Sequence, residues 1–117
     1  SCWRGNERGA LILGTGGASK AIAHVCKKLG ISFLFVSRSK TSEGMINYKD
    51  LSKDILMEHE MIINCSPLGT FPEVEAKPDI PYEFLTDRHL LFDLIYNPKR
   101  TAFLKMGEKA GAIVSNG

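Results

Sequence analysis

The sequence predicts an α/β fold, a doubly wound parallel sheet with helices on both faces, and three observations carry that prediction. Short apolar runs at residues 10–13 and 31–36 show no alternation of polar and apolar positions, as expected of strands buried on both faces. Between them the apolar residues recur at helical spacing. The alternation of strand and helix then continues along the chain, and parallel strands joined through helices build one sheet by right-handed crossovers.

The elements follow in order. The run 10–13 is stopped by Gly14. Ala18, Ala21, Ile22, Val25, Cys26 and Leu29 fit the i, i+3, i+4, i+7 pattern, while Lys20, His24, Lys27 and Lys28 share the opposite side. This predicts a helix that buries the first set and ends at Gly30. With 31–36 as the second strand, a βαβ unit of about 27 residues is complete. Residues 45–48 are predicted as a short edge strand, 50–57 as a helix and 61–65 as a buried strand. Pro67, Pro72, Pro78 and Pro81 fall within fifteen residues and predict a loop. A strand over 90–95 comes next. Asn97 and Pro98 are expected to cap and start a helix that runs to Ala110 and is closed by Gly111. Residues 112–115 form the last strand.

Composition narrows the function classes. At 117 residues the chain fits one domain able to bury roughly two thirds of its unfolded surface. No apolar run approaches the roughly 20 residues that cross a bilayer, and SCWRGNERG lacks the apolar centre of a signal peptide, so no membrane partner is expected. Cys2, Cys26 and Cys65 are odd in number and lack C-x-x-C spacing, which predicts neither disulfides nor zinc and points to a reduced, cytoplasmic setting. Charge is uneven. Residues 1–53 hold nine Lys/Arg against three Asp/Glu, and residues 54–117 six against ten, which gives +6 and −4. The basic half favours an anionic ligand, but without a basic run or interleaved aromatics nucleic acid is not expected.

Two stretches carry chemistry. LGTGGAS, at the junction of the first strand and helix, reads G-x-G-x-x-S. Gly14 and Gly16 allow a tight turn and close backbone approach to a pyrophosphate, whose charge the helix N-terminus stabilises; Ser19 is small enough for helix to pack on strand. The second stretch is FVSRSK, at the end of the second strand. Roughly 20 residues past the glycines, Asp or Glu suits a free ribose 2′-hydroxyl, whereas Arg suits a 2′-phosphate. Arg38 lies 24 residues after Gly14, with Ser37, Ser39 and Lys40 beside it. The pair of stretches predicts NADP as cofactor; the plainer readings are a glycine turn serving geometry alone and a surface arginine.

Other residues read as structural. His24 lies on the polar helix side, and His59 and His89 have no metal-spaced companions, so no metal is expected. Cys65 lacks a paired histidine and is expected to pack beside the cofactor. Asp93 is expected to accept a backbone hydrogen bond at its strand end.

INCSPLG (63–69) and DLIYNPKRT (93–101), together with LGTGGASKA and SRSK in this order, make the chain resemble the C-terminal NADP-binding Rossmann domain of shikimate dehydrogenase from about Gly9 to Gly117. The family often has Asn-Arg-Thr where this chain has Ser37, Arg38 and Ser39, and often methionine where it has Thr70. The resemblance implies that Gly14, Thr15, Gly16, Gly17 and Ala18 cradle the pyrophosphate and that 37–42 surround the adenosine phosphate. It places Cys65, Ser66, Pro67, Leu68, Leu94 and Gly117 along the nicotinamide, with Tyr96 reaching the substrate. It also implies reversible NADPH-dependent reduction of 3-dehydroshikimate to shikimate. The Lys and Asp that move the proton belong, in the family, to an N-terminal substrate domain, so no catalytic residue is expected in this chain. Residues 1–9 then read as an interdomain connection, and the chain as a fragment that is inactive alone. Two other readings stay open: a stand-alone NADP-binding or redox-sensing module without catalysis, and a nucleic-acid-binding domain that uses the basic half.

Overall fold

The computed structural model describes residues 9–14, 16–38, 44–66, 75–95 and 100–116. Six strands, β1 (Ala10–Leu13), β2 (Phe33–Ser37), β3 (Met45–Asn47), β4 (Met61–Asn64), β5 (Leu90–Asp93) and β6 (Ile113–Asn116), form one sheet in the order β3-β2-β1-β4-β5-β6. Every pairing is parallel. Three helices, α1 (Gly17–Leu29), α2 (Lys53–Glu58) and α3 (Ala102–Lys109), complete the layers, with 3₁₀ turns at Tyr48–Asp50 and Tyr82–Phe84. This is the doubly wound class that the sequence predicts.

β1 lies at the centre, and all four of its residues are 0% exposed. Its alternate residues serve two cores. Ala10 and Ile12 pack with Ala23 and Cys26 of α1, while Leu11 and Leu13 pack with Leu56 of α2 and with Phe103 and Leu104 of α3. Each large apolar side chain buried there contributes about 1.5–3 kcal/mol, so the centre of the sheet is its most rigid part. From β1 the chain winds out to β2 and β3, and from β4 it winds the other way to β5 and β6. The switch between β1 and β4 leaves a crevice at the carboxyl edge, where folds of this class take their ligands.

Three sequence expectations are corrected. Val25 and Leu29 were expected on the buried side of the first helix, yet they are 50% and 61% exposed. The buried line of α1 is Ser19, Ala23 and Cys26, because small side chains let the helix approach the sheet closely. The predicted helix over 50–57 splits into the 3₁₀ turn and α2, whose cap is Ser52 accepting from the Ile55 amide. The last helix starts at Ala102 with Thr101 as its cap, not at Asn97 and Pro98; residues 96–99 lie outside the described set. Strand ends otherwise shift by one or two residues, and a 3₁₀ turn stands at Tyr82–Phe84 just beyond the predicted proline loop. No described helix is long and apolar enough to cross a membrane.

Candidate functional site

The turn after β1 is built for close approach. Gly14 has φ 111°, a region that side chains other than glycine rarely enter, and a Cβ there would touch the Cys65 carbonyl carbon and the Ser66 nitrogen at 3.4 Å. Its amide donates to Val36 O at 2.9 Å, which ties the turn to β2. Gly16 caps α1 without a side-chain hydrogen bond, and the first turn carries no acidic residue. Cβ atoms at Gly16 and Gly17 would meet nothing within 4 Å, so the backbone stands open over the helix N-terminus. Ser19, fully buried, donates its hydroxyl to Gly16 O at 2.6 Å and closes the turn. The exposed amides and the positive helix end suit a pyrophosphate. Ala18 is exposed at the same turn, and Thr15 lies outside the described residues.

At the carboxyl end of β2, Ser37 is buried and Arg38 is exposed. Arg38 lines a cavity of about 460 Å³ with Asn47, Tyr48, Lys49, Lys77 and Asp79. Burial pushes the Tyr48 hydroxyl up to about 12, with the Arg38 charge working against that rise, so the hydroxyl stays protonated. Ser39, Lys40 and the rest of 39–43 lie outside the described residues.

The third part joins the ends of β4 and β5. Asn64, fully buried, donates from Nδ2 to Asp93 Oδ2 at 3.2 Å, and its Oδ1 accepts from the Ser66 amide at 3.1 Å and the Ser66 hydroxyl at 2.6 Å. Asp93 Oδ2 also accepts from the Thr101 hydroxyl at 2.7 Å, while Oδ1 accepts from the Ile95 amide at 2.9 Å. Leu94 donates its amide to Asn64 O at 3.3 Å. One buried carboxylate thus fixes where the chain leaves both strands, in the structural role expected of Asp93. Cys65 is half-buried; burial first, and then the Asp93 charge, push its thiol up to about 11. A thiol kept protonated is no nucleophile, which fits a packing role. Pro67, Leu68, Tyr96 and Gly117 lie outside the described residues.

Residue reasoning missed Asn64, Thr101, Asn47 and Tyr48. Asn64 was the most accessible signal, a polar residue ending an apolar strand. Thr101 was hidden by the stronger cap pattern at Asn97 and Pro98. His89 is buried; its Nδ1 accepts from the Thr86 amide at 3.0 Å and its Nε2 donates to Leu56 O at 2.7 Å, which makes it a brace at the opposite edge of the sheet. Among the described residues no group of three His, Cys, Asp or Glu is placed to hold a metal.

No family model matches the chain. Among curated proteins, a shikimate dehydrogenase (NADP⁺) of Methanococcus maripaludis is 34% identical over 125 residues, which cover 95% of this chain and 44% of that protein. Among solved structures, shikimate dehydrogenase 1 from Peptoclostridium difficile is 36% identical with a TM-score of 0.78, over 94% of this chain and 41% of that one. The enzyme from Thermus thermophilus, solved in complex with NADP(H) and shikimate, is 25% identical with a TM-score of 0.75, over 93% and 42%. The chain therefore spans less than half the length of the relatives it matches.

Proposed function

We propose that this chain, which is similar to shikimate dehydrogenases over about 95% of its own length, is the NADP-holding lobe of an enzyme that reversibly reduces 3-dehydroshikimate to shikimate. The observation that carries the reading is Arg38 at the carboxyl end of β2, lining a cavity on the edge where the helix N-terminus of α1 also opens. A guanidinium there matches a 2′-phosphate, where an acidic residue would match a free hydroxyl.

In this reading each part of the carboxyl edge has one task. Gly14, Gly16, Gly17 and Ala18 bring backbone amides to the pyrophosphate, joined by Thr15. Arg38, with Ser37, Ser39 and Lys40, selects the phosphorylated ribose. Cys65, Ser66, Pro67, Leu68, Leu94 and Gly117 line the nicotinamide side, and Tyr96 reaches the substrate.

 

The Leu94 amide donates a hydrogen bond to Asn64 O, so in this reading the Asp93 and Asn64 brace would set the depth of the nicotinamide end. NADP when bound supplies or accepts the hydride. The proton on the ring oxygen is moved by a Lys and Asp pair in a separate substrate lobe, within the part of the relatives' length that this chain does not match. Residues 1–9 would form the connection to that lobe, in a cytoplasmic enzyme.

Titration calorimetry of NADP and NAD on the purified protein tests the reading. A charge-assisted hydrogen bond at a partly exposed site contributes on the order of 1.5–3 kcal/mol, so NADP should bind at least about tenfold more tightly than NAD. Arg38→Ala should remove most of that preference and leave NAD affinity nearly unchanged. Equal affinities in the unmutated protein, or a variant that weakens both cofactors alike, would overturn the assignment.

A further inference from the structure

The cavity beside Arg38 is larger than one guanidinium requires, and its walls come from three separate parts of the chain. The end of β2 supplies Arg38, the end of β3 supplies Asn47, Tyr48 and Lys49, and the segment before the second 3₁₀ turn supplies Lys77 and Asp79. One amide organises two of these walls: Asn47 Nδ2 donates to Arg38 O at 3.1 Å, and Asn47 Oδ1 accepts from the Lys49 amide at 3.1 Å. The backbones that carry Arg38 and Lys49 are therefore pinned to one another through Asn47. Among the described residues the ion pairs are Arg88 with Glu60 and Arg100 with Glu108, and none of the three cavity cations takes part in them.

We propose that Lys49 and Lys77 form, together with Arg38, a cationic cradle for the 2′-phosphate of NADP, with Asp79 limiting its charge. This rests on the reading of the chain as an NADP-holding lobe and extends the phosphate site beyond the residues around Arg38. Among the described residues of the lining, three cations against one carboxylate give +2. A phosphate monoester carries about −1.5 to −2 at neutral pH, so the lining and the ligand nearly cancel. Arg38 provides the planar fork that fixes phosphate orientation, and the two lysines provide point charges that tolerate some movement. Tyr48, whose hydroxyl stays protonated, adds a donor in the same wall.

Calorimetry on the purified protein with NADP, NAD and inorganic phosphate decides it. Lys49 and Lys77 are exposed, so their removal leaves the core intact, and NAD affinity serves as the control for folding. Lys49→Ala and Lys77→Ala should each weaken NADP roughly threefold, and the double variant about tenfold, with NAD unchanged. Asp79→Asn should tighten NADP by roughly threefold. Below about pH 6, where the phosphate takes up its second proton, the gap between the unmutated protein and the double variant should narrow. If the double variant binds NADP like the unmutated protein while Arg38→Ala still loses the preference, the cradle is wrong and the lobe reading stands. If the unmutated protein shows no preference for NADP, both fall. Inorganic phosphate bound as tightly as NADP would reassign the cavity to free phosphate and overturn the proposal.

Discussion

Asp93 and Cys65 show how position, more than residue type, sets chemistry at the carboxyl edge. The Asp93 carboxylate accepts three hydrogen bonds, from Asn64, Thr101 and the Ile95 amide, so its oxygens are committed to holding structure. The Cys65 thiol lies close enough to feel that negative charge, and burial already disfavours its ionisation. With the thiol pushed up from 9.0 to about 11, roughly a hundredfold less of it is ionised at pH 8 than in an unfolded chain. Alkylation of Cys65 by iodoacetamide, followed by peptide mass spectrometry, should therefore be slow at pH 8 and accelerate until the pH passes about 11. A rate that levels off near pH 9 would mean that the thiol is not held in this environment.

At the scale of elements, α3 shows a helix start chosen from outside the helix. Thr101 accepts the Leu104 amide at 3.3 Å as a cap and at the same time donates to Asp93 at 2.7 Å. Its hydroxyl thus links the register of α3 to the end of β5. Thr101→Ala removes both bonds, a cap contribution of about 1 kcal/mol and a buried hydrogen bond to a carboxylate of about 1.5–3 kcal/mol. Urea unfolding should show a loss of about 2–4 kcal/mol, and Thr101→Ser, which keeps the hydroxyl, should recover most of it. A loss below about 1 kcal/mol would place Thr101 among ordinary caps with no tie to the strand. α1 is different in kind. Its end is set locally by Gly30, at φ 73°, whose amide returns to Cys26 and Lys27 carbonyls.

At the scale of the whole molecule, the carboxyl edge proposed to hold the cofactor shows no working proton relay among its described residues. At the ends of β4 and β5 the titratable groups are Asp93, fully engaged, and Cys65, kept protonated. Reduction of a ketone needs a proton donor positioned at the oxygen as the hydride arrives. If the chain is the cofactor lobe proposed above, the purified chain, given shikimate and NADP, should produce no NADPH absorbance above background. Turnover by the chain alone would show that the acid/base groups lie within it and would overturn the division between two lobes.

What the sequence determined by itself is the set of features that depend on near neighbours along the chain. The buried strand at Ala10–Leu13, the glycine turn at Gly14, the stop at Gly30 and Arg38 at the end of β2 were all legible, because hydrophobic runs, glycine's freedom at positive φ and strand ends act locally. Tertiary structure decided what depends on distant contacts. It turned α1 so that Ser19, Ala23 and Cys26 face the sheet and left Val25 and Leu29 outside, since close packing on β1 favours the smaller side chains over the larger apolar ones. It made Thr101 the cap of α3, with its hydroxyl held by Asp93 eight residues earlier. It also brought Lys49 and Lys77 to the cavity of Arg38, residues that lie 11 and 39 positions further along. No periodicity or local motif encodes such a meeting, because the folding of β3 beside β2 and the return of the chain past the sheet edge create it.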